Sequence, residues 1–499
     1  MHLPGFLWLI LIPVLAAPVI YLAGRLARAT RLGRRLPGWL ALLALAASWA
    51  PFVLSARQLA EGQTLAYALG SVSLHLDGLS LLLAAVALGL GTLVTLYSGP
   101  YLAKEEGQEK FYAMLVLMVS MIIGLGCATD LFNLWIWFEA MAITSYLLVA
   151  FYREQLTSLE AGFKYLVQSA AGSVLVVIGV ALLFAASGSL ELAQIRLLAV
   201  HSPLYLAGGA LIVIGLGVKA ALVPLHTWLP DAHSQAPSGI SAMLSGVVIE
   251  AGLVAMLRVL AALYTASSSW YLLLIGFGVL NMVVGNLMAL RQKQVKRLLA
   301  YSSLAHVGYI LLGLGITFQT GLADGAQGSF FHLLTHGLMK GLAFLSAGAL
   351  LYCLHISAGN HKPLLVTDLA GAAKRYPLAA LGLSLAVLGL GGLPPLAGFM
   401  SKWQIFVAGF QTHNIWFELL VVFAALNSVL SLAYYAPLVN ALYRLQPSEL
   451  VKQGGRLPWA MAVPLVILSL AVVGLGIWPG LATWLTAPAA KALLAGFGG

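Results

Sequence analysis

Lys164, Lys219, Lys340 and Lys402 stand inside stretches of sequence that otherwise read as membrane-spanning helices. The chain has 26 Lys and Arg; 26 minus these four leaves 22, which read as lying in loops, at helix ends or in the tail. A lysine in hydrocarbon costs about 2.5 to 3.5 kcal/mol on insertion scales, and ionisable residues at that depth ordinarily mark an ion or proton path. Two acids read as equally deep, Glu139 in DLFNLWIWFEAMAITSYLLVAF and Glu250 in LSGVVIEAGLVAMLR. Opposite charges on separate helices point to pairing. A lysine facing Glu139 would be pulled one way by burial and the other by the carboxylate, so a small movement of the pair changes its proton affinity. The chemistry in reach is proton exchange inside a membrane.

The surroundings of these residues sharpen that reading. Lys219 is flanked by Gly215 and Gly217 and followed five residues later by Pro224, in GLGVKAALVPLHTWLPDAHSQAPSG. Proline removes a backbone donor and breaks the helix, and a discontinuous helix at membrane depth suits a buried or water-lined transport site. The polar stretch after the break offers His226, Asp231 and His233, either to take up protons or to satisfy backbone groups and cap the next helix. In FFHLLTHGLMKGLAFLSAGALLY, His332, His336 and Lys340 recur at i, i+4 and i+8 on one helix face, a spacing that suits a proton wire. His306, in SSLAHVGY, reads equally as a relay or as a satisfied interhelical histidine. Gly391, Gly392, Pro394, Pro395 and Gly398 interrupt a second span ahead of Lys402. Lys164 lies near the end of its span, where it either snorkels or supports Glu139 and Lys219.

These side chains need a scaffold, and composition specifies it. With 61% hydrophobic and 8% charged residues among 499, the chain reads as an all-α polytopic membrane protein with about fourteen transmembrane helices. The net charge of +10 follows the positive-inside pattern rather than marking a nucleic-acid partner: loops after spans 1, 3, 5, 9, 11 and 13 hold 18 Lys and Arg, the opposite side four. That split puts the odd loops in the cytoplasm and both termini on the other side, and MHLPGF, lacking a basic start, reads as a retained span. Two cysteines and no GxGxxG or phosphate loop leave no cofactor and no metal expected in this chain. The matched interruptions at 205–233 and 385–402 point to two inverted five-helix repeats, with discontinuous helices 7 and 12. The expected organisation is N-terminal helices over 1–110, a first repeat over 111–260, a second over 261–440 and a last helix with tail over 441–499.

The quoted segments, with LEAGFKYLVQSAAGS, KRLLAYSSLAHVGY and GLPPLAGFMSKW, resemble over about residues 75–440 the antiporter-like family. That family comprises proton-pumping membrane subunits of respiratory complex I, large subunits of Mrp-type cation/proton antiporters and membrane subunits of membrane-bound hydrogenases. The resemblance implies a Glu139–Lys219 pair, a hydrophilic axis through helices 8 and 11, and an exit lysine at Lys402. It further implies a proton-translocating subunit of a multisubunit complex, of NADH:quinone oxidoreductase type, in the cell (inner) membrane. The expected partners are homologous membrane subunits, redox or other coupling subunits and the lipid bilayer. The alternatives are an Mrp-type sodium/proton antiporter subunit, a hydrogenase subunit, or a non-pumping partner in an inorganic-carbon uptake module. One residue departs from the pattern: Glu250 stands where the family carries lysine or histidine. It is expected to pair with Lys219 or with the His332, His336 and Lys340 row.

Overall fold

A computed structural model describes residues 4–27, 31–70, 72–444 and 446–497. Residues 1–3 of the MHLPGF start, Arg28, and the side chains of Arg31 and Arg34 lie outside the described residues. In chain order the helices begin with α1 (Trp8–Leu26), α2 (Arg31–Ala60), α3 (Gly78–Tyr101), α4 (Gln108–Cys127), α5 (Leu131–Val149), α6 (Leu156–Ser187) and α7 (Leu192–Leu198). There follow α8 (Pro203–Lys219), α9 (Trp228–Gln235), α10 (Ser238–Met243), α11 (Ile249–Ala262), α12 (Trp270–Leu290), α13 (Val295–Thr320) and α14 (Ala323–Leu354). The last are α15 (Pro377–Gly391), α16 (Ala397–Phe410), α17 (Ile415–Leu442), α18 (Glu449–Gln453), α19 (Trp459–Ile477) and α20 (Thr483–Ala495).

Among the described residues twelve helices are long and apolar enough to cross a membrane, with α10 and α11 joined into one span, Ser238–Ala262. The count of fourteen is not reached by length. The two expected spans that fall short are the interrupted ones, where α8 has 17 residues and α15 has 15. Each is followed, after its break, by α9 or α16.

Both breaks close in the same way. The N–H of Leu222 bonds the Gly217 carbonyl at 2.8 Å, and that of Leu393 bonds the Leu388 carbonyl at 3.1 Å, each reaching five residues back. A cis X–Pro bond stands just beyond each, Val223–Pro224 and Pro394–Pro395. Hydrocarbon offers no water to an opened backbone, so every freed group needs a protein partner. Ala221, in the left-handed region at φ 54°, is held by buried Asn281 of α12, which accepts from the Val223 N–H at 2.8 Å and donates to the Ala221 carbonyl at 3.3 Å. The Trp228 indole N–H caps the Val218 carbonyl at 2.7 Å. At the second break the ammonium of Lys402 donates to the Leu390 carbonyl at 2.7 Å, and the Ser428 hydroxyl to that of Gly391 at 3.1 Å.

The centre of the molecule is α10–α11 and α13, whose spans are wholly buried, with α14 beside them; α2, α6, α17 and α19 lie at the rim with bare apolar faces. Close helix approach is made by small residues. A Cβ on Gly172 of α6 would lie 2.8 Å from the Gly215 carbonyl of α8, and one on Gly337 of α14 would lie 2.7 Å from that of Gly246.

The loops separate by parity. Lys104 reaches the Ser357 carbonyl at 3.0 Å and Glu105 faces His361 at 3.5 Å, joining the loops after α3 and α14 at one end. At the other, Ser73 bonds Thr129 and Glu191, and Arg196 bonds the Ala495 carbonyl. This second end carries the one element outside the all-α expectation, an antiparallel hairpin of β1 (Leu65–Leu69) and β2 (Val72–Leu76), with Leu65 opposite Leu76. Its β-favouring Tyr67 and Val72 flank Gly70, whose φ of 60° suits a tight turn. Below it Asp77 caps α3 and pairs with Arg258 of α11 at 2.8 Å. Burial pushes the Asp77 carboxyl up, but the guanidinium outweighs it and holds the group below the usual carboxylate range.

Replacing Asn281 with leucine leaves the Val223 N–H and the Ala221 carbonyl unpaired in the interior. The expected cost is about 1–3 kcal/mol for each orphaned group, read as a lowered unfolding midpoint of the purified protein in detergent.

Candidate functional site

Residue 250 ends up where no water-facing carboxylate belongs. A π-turn, Leu244–Val248, joins α10 to α11 directly ahead of Glu250; such turns inside helices recur at functional sites. The Gly246–Gly337 contact lets α14 come close enough for His336 Nδ1 to meet Glu250 Oε1 at 2.7 Å, with both side chains fully buried. Of the two partners expected for Glu250, the histidine row is the one it has.

The row itself is built differently from its sequence spacing. His332 and His336 stand 6.3 Å apart between ring centres, and His306 of α13 slots beside both, 5.2 Å from each. His306 Nδ1 and His332 Nε2 share a hydrogen bond of 3.0 Å, and His332 Nδ1 meets the Ser401 hydroxyl of α16 at 2.8 Å. Ser401 also accepts from the Thr335 hydroxyl at 3.0 Å. Lys402, next in the chain, bonds Ser428 at 2.7 Å and lies 4.5 Å over the Tyr309 ring. The sequence left His306 open between relay and packing; the fold inserts it into the hydrogen-bonded line. Lys340 turns away from that line, donating to the Leu299 carbonyl at 2.7 Å and to the Ser302 hydroxyl on α13.

Lys219 is fully buried at the end of α8, bonded to Ser169 at 3.5 Å and lying 4.3 Å over the ring of Tyr165, which stacks on Trp228 at 3.8 Å. It makes no direct ion pair with Glu139 among the described residues, and Glu139 Oε1 is buried without a partner. The expected pair is therefore not a contact, because the aromatic shelf and Ser169 occupy the ammonium.

Two lysines exchange places relative to the sequence reading. Lys164 is 48% exposed and paired with Glu160 at 2.7 Å and Asp231 at 3.2 Å. It belongs to a surface cluster with Arg297, not to the Lys219 site. Lys296, counted by sequence as a loop residue, is only 4% exposed and donates to the Ala236 carbonyl. The four buried lysines among the described residues are thus Lys219, Lys296, Lys340 and Lys402. Near Lys296, His233 is fully buried, stacked on Phe344 at 4.7 Å, with both ring nitrogens unpartnered. His226 is half-buried, 6.4 Å from the Tyr301 ring, with Nδ1 unpartnered. A signal for Lys296 was present: Lys296, Ser303 and His306 fall on one face of α13 at i, i+7 and i+10.

Chemically, the arrangement is a buried polar cluster in which one fully buried carboxylate bonds His336, which stacks beside His306 and His332, with Lys340 and Lys402 buried on the same and the adjoining helix. Cations in a low-dielectric interior repel one another, so proton occupancy is shared among them and not fixed at each. Neutral His332 has one N–H and one lone pair, and both its nitrogens are engaged. The His306–His332–Ser401 run therefore has two hydrogen-bond polarities that differ by one proton moved along it.

Known proteins share this architecture. The family model described as "NADH:quinone oxidoreductase/Mrp antiporter, TM" matches residues 128–431, and one described as "NADH-Ubiquinone oxidoreductase (complex I), chain 5 N-terminus" matches residues 69–112. The chain is 33% identical over 425 residues to F(420)H(2) dehydrogenase subunit N of Methanosarcina mazei, covering 84% of this chain and 85% of the relative. It is 32% identical over 505 residues to NADH-quinone oxidoreductase subunit N of Desulforudis audaxviator, covering 96% of both. Among solved structures, a chain of the archaeal membrane-bound sulfane sulfur reductase superposes with a TM-score of 0.85 at 30% identity, covering 99% of this chain and 98% of that one. A chain of Thermus thermophilus respiratory complex I gives 0.76 at 29%, covering 96% and 99%. The Mrp complex from Dietzia gives 0.86 at 22%, covering 98% and 97%, a likeness of fold alone.

The Gly246–Gly337 contact yields a direct prediction. Gly337→Ala forces α14 off α10–α11, at an expected cost of about 1–3 kcal/mol for overpacking. Gly474→Ala, where nothing lies within 4 Å of the added Cβ, is expected to leave stability unchanged or slightly raised; unfolding midpoints in detergent compare the two.

Proposed function

We propose, from the premise that the chain belongs to the NADH:quinone oxidoreductase and Mrp antiporter family of membrane subunits, that it translocates protons within a multisubunit energy-converting complex of NADH:quinone oxidoreductase type. The observation that carries this reading is the buried line from Glu250 through His336, His306 and His332 to Ser401, whose neighbour in the chain is the buried Lys402.

A proton on Glu250 passes to His336 Nδ1 across the 2.7 Å hydrogen bond. His336 Nε2, buried and without a partner, releases a proton toward the stacked ring of His306. His306 hands a proton to His332 Nε2 as His332 Nδ1 gives one to the Ser401 oxygen, whose own hydroxyl proton leaves toward a neutral Lys402, the next residue in the chain. Reversal of the hydroxyl and imidazole polarities resets the run. Lys219, with Glu139 acting on it from a distance, loads the first half; Lys402 discharges the second. Glu250 works here as a variant relay: a carboxylate bonded to imidazole moves a proton as well as the usual cation does. This favours the pump over a non-pumping scaffold in an inorganic-carbon uptake module.

The redox chemistry is assigned to partner subunits. Relatives named for F(420)H(2) dehydrogenase, NADH-quinone oxidoreductase and sulfane sulfur reductase are similar to one chain, which supports a shared pump module with interchangeable drives. The odd-loop end faces the cytoplasm of a cell with both termini opposite, supported by the 18-to-4 basic split. The two like-built breaks support repeats over 111–260 and 261–440.

The test is proton uptake by vesicles holding the purified native complex, driven by NADH and a water-soluble quinone. Lys219→Ala is expected to remove this chain's share of pumping with the complex still assembled, and Glu250→Leu to do the same. Unchanged uptake in both variants would sink the pump reading in favour of the scaffold.

A further inference from the structure

Resting on the pump reading, we infer that Lys296 is the residue that takes protons from the odd-loop side and, through His233, supplies Lys340. Three independent features meet there. A crevice of about 50 Å³, lined by Tyr101, Tyr152, Ser234, Gln294 and His361, has Lys296 in its wall. Since about 10–15 Å³ of such volume holds one water, the crevice has room for a short water file from the loops. Lys296 itself is buried with no acid paired to it, its only bond in the described structure being to the Ala236 carbonyl. Beyond it, His233, three residues ahead of the Ala236 carbonyl that Lys296 holds, is fully buried with both ring nitrogens unpartnered.

An orphaned buried imidazole is costly unless something uses it. A neutral amine at Lys296 has two N–H bonds and a lone pair, so it keeps its bond to the Ala236 carbonyl while the lone pair takes a proton from a crevice water that is re-protonated in turn from the odd-loop side. The ammonium formed gives that proton to the free nitrogen of His233, whose opposite nitrogen releases one toward Lys340, which stands one turn from His336 on α14 and passes it into the line there. Lys340 is anchored on the Leu299 carbonyl, three residues after Lys296 in α13. Charge is conserved at each step and no other reactant is consumed. The neighbouring acids do not compete for the role: Asp231 is held between Lys164 and Arg297.

Arginine separates relay from anchor, because it can donate to the Ala236 carbonyl and keep the charge but does not give up its proton. In vesicles of the native complex, Lys296→Arg is expected to lower the proton-to-electron ratio by the same fraction as Lys340→Met. Ser234→Cys, treated with a charged methanethiosulfonate from the odd-loop side, is expected to show that same loss, and treated from the opposite side none. The wild type, whose Cys127 and Cys353 are buried, is the labelling control. A Lys296→Arg complex that pumps at the wild-type ratio overturns the assignment and leaves Lys296 as an anchor. A wild-type complex that moves no protons overturns the pump reading, and this assignment with it.

Discussion

A helix interrupted inside hydrocarbon leaves carbonyls and N–H groups that no water can satisfy, and the centre of this molecule is organised around two such interruptions. Neither break is left to itself. Asn281 and Trp228 close the first, and Ser428 and the ammonium of Lys402 close the second. A lysine that bonds a freed carbonyl is fixed in place at the membrane's middle without an acid to neutralise it. Lys340 and Lys296 are likewise bonded to backbone carbonyls, of Leu299 within α13 and of Ala236 just past α9.

Much of the site was legible in the sequence because charge in an apolar run is conspicuous. Lys219, Glu250, Lys340 and Lys402 are buried as expected, and both breaks fall where Gly and Pro cluster. What was not legible depends on distance along a helix end and on what packs there. Lys164 and Lys296 both sit within about two turns of a helix terminus, and only tertiary packing decides which is covered. Neighbouring loops close over Lys296, whereas Lys164 emerges between Glu160 and Asp231. The Glu139–Lys219 contact is absent among the described residues for a similar reason: Ser169 and the ring of Tyr165 take up the ammonium.

Spacing on one helix was also an incomplete guide. His332 and His336 share a face of α14, yet the link between them is His306 from α13. The π-turn ahead of Glu250 has no signature in composition, but its neighbours Gly246 and Gly337 explain why the two backbones meet there and why an acid at 250 finds an imidazole. Glu250 is fully buried, and a histidine-rich surrounding gives it its partner in His336.

The account stands on Glu250 changing protonation during turnover. Infrared difference spectroscopy of the native complex, between resting and turning-over states, reads the carboxyl C=O band of a buried acid directly. The account predicts a band that appears on turnover in the wild type, is absent in Glu250→Gln and is shifted in His336→Asn. A wild-type difference spectrum with the same carboxyl bands as Glu250→Gln would contradict it.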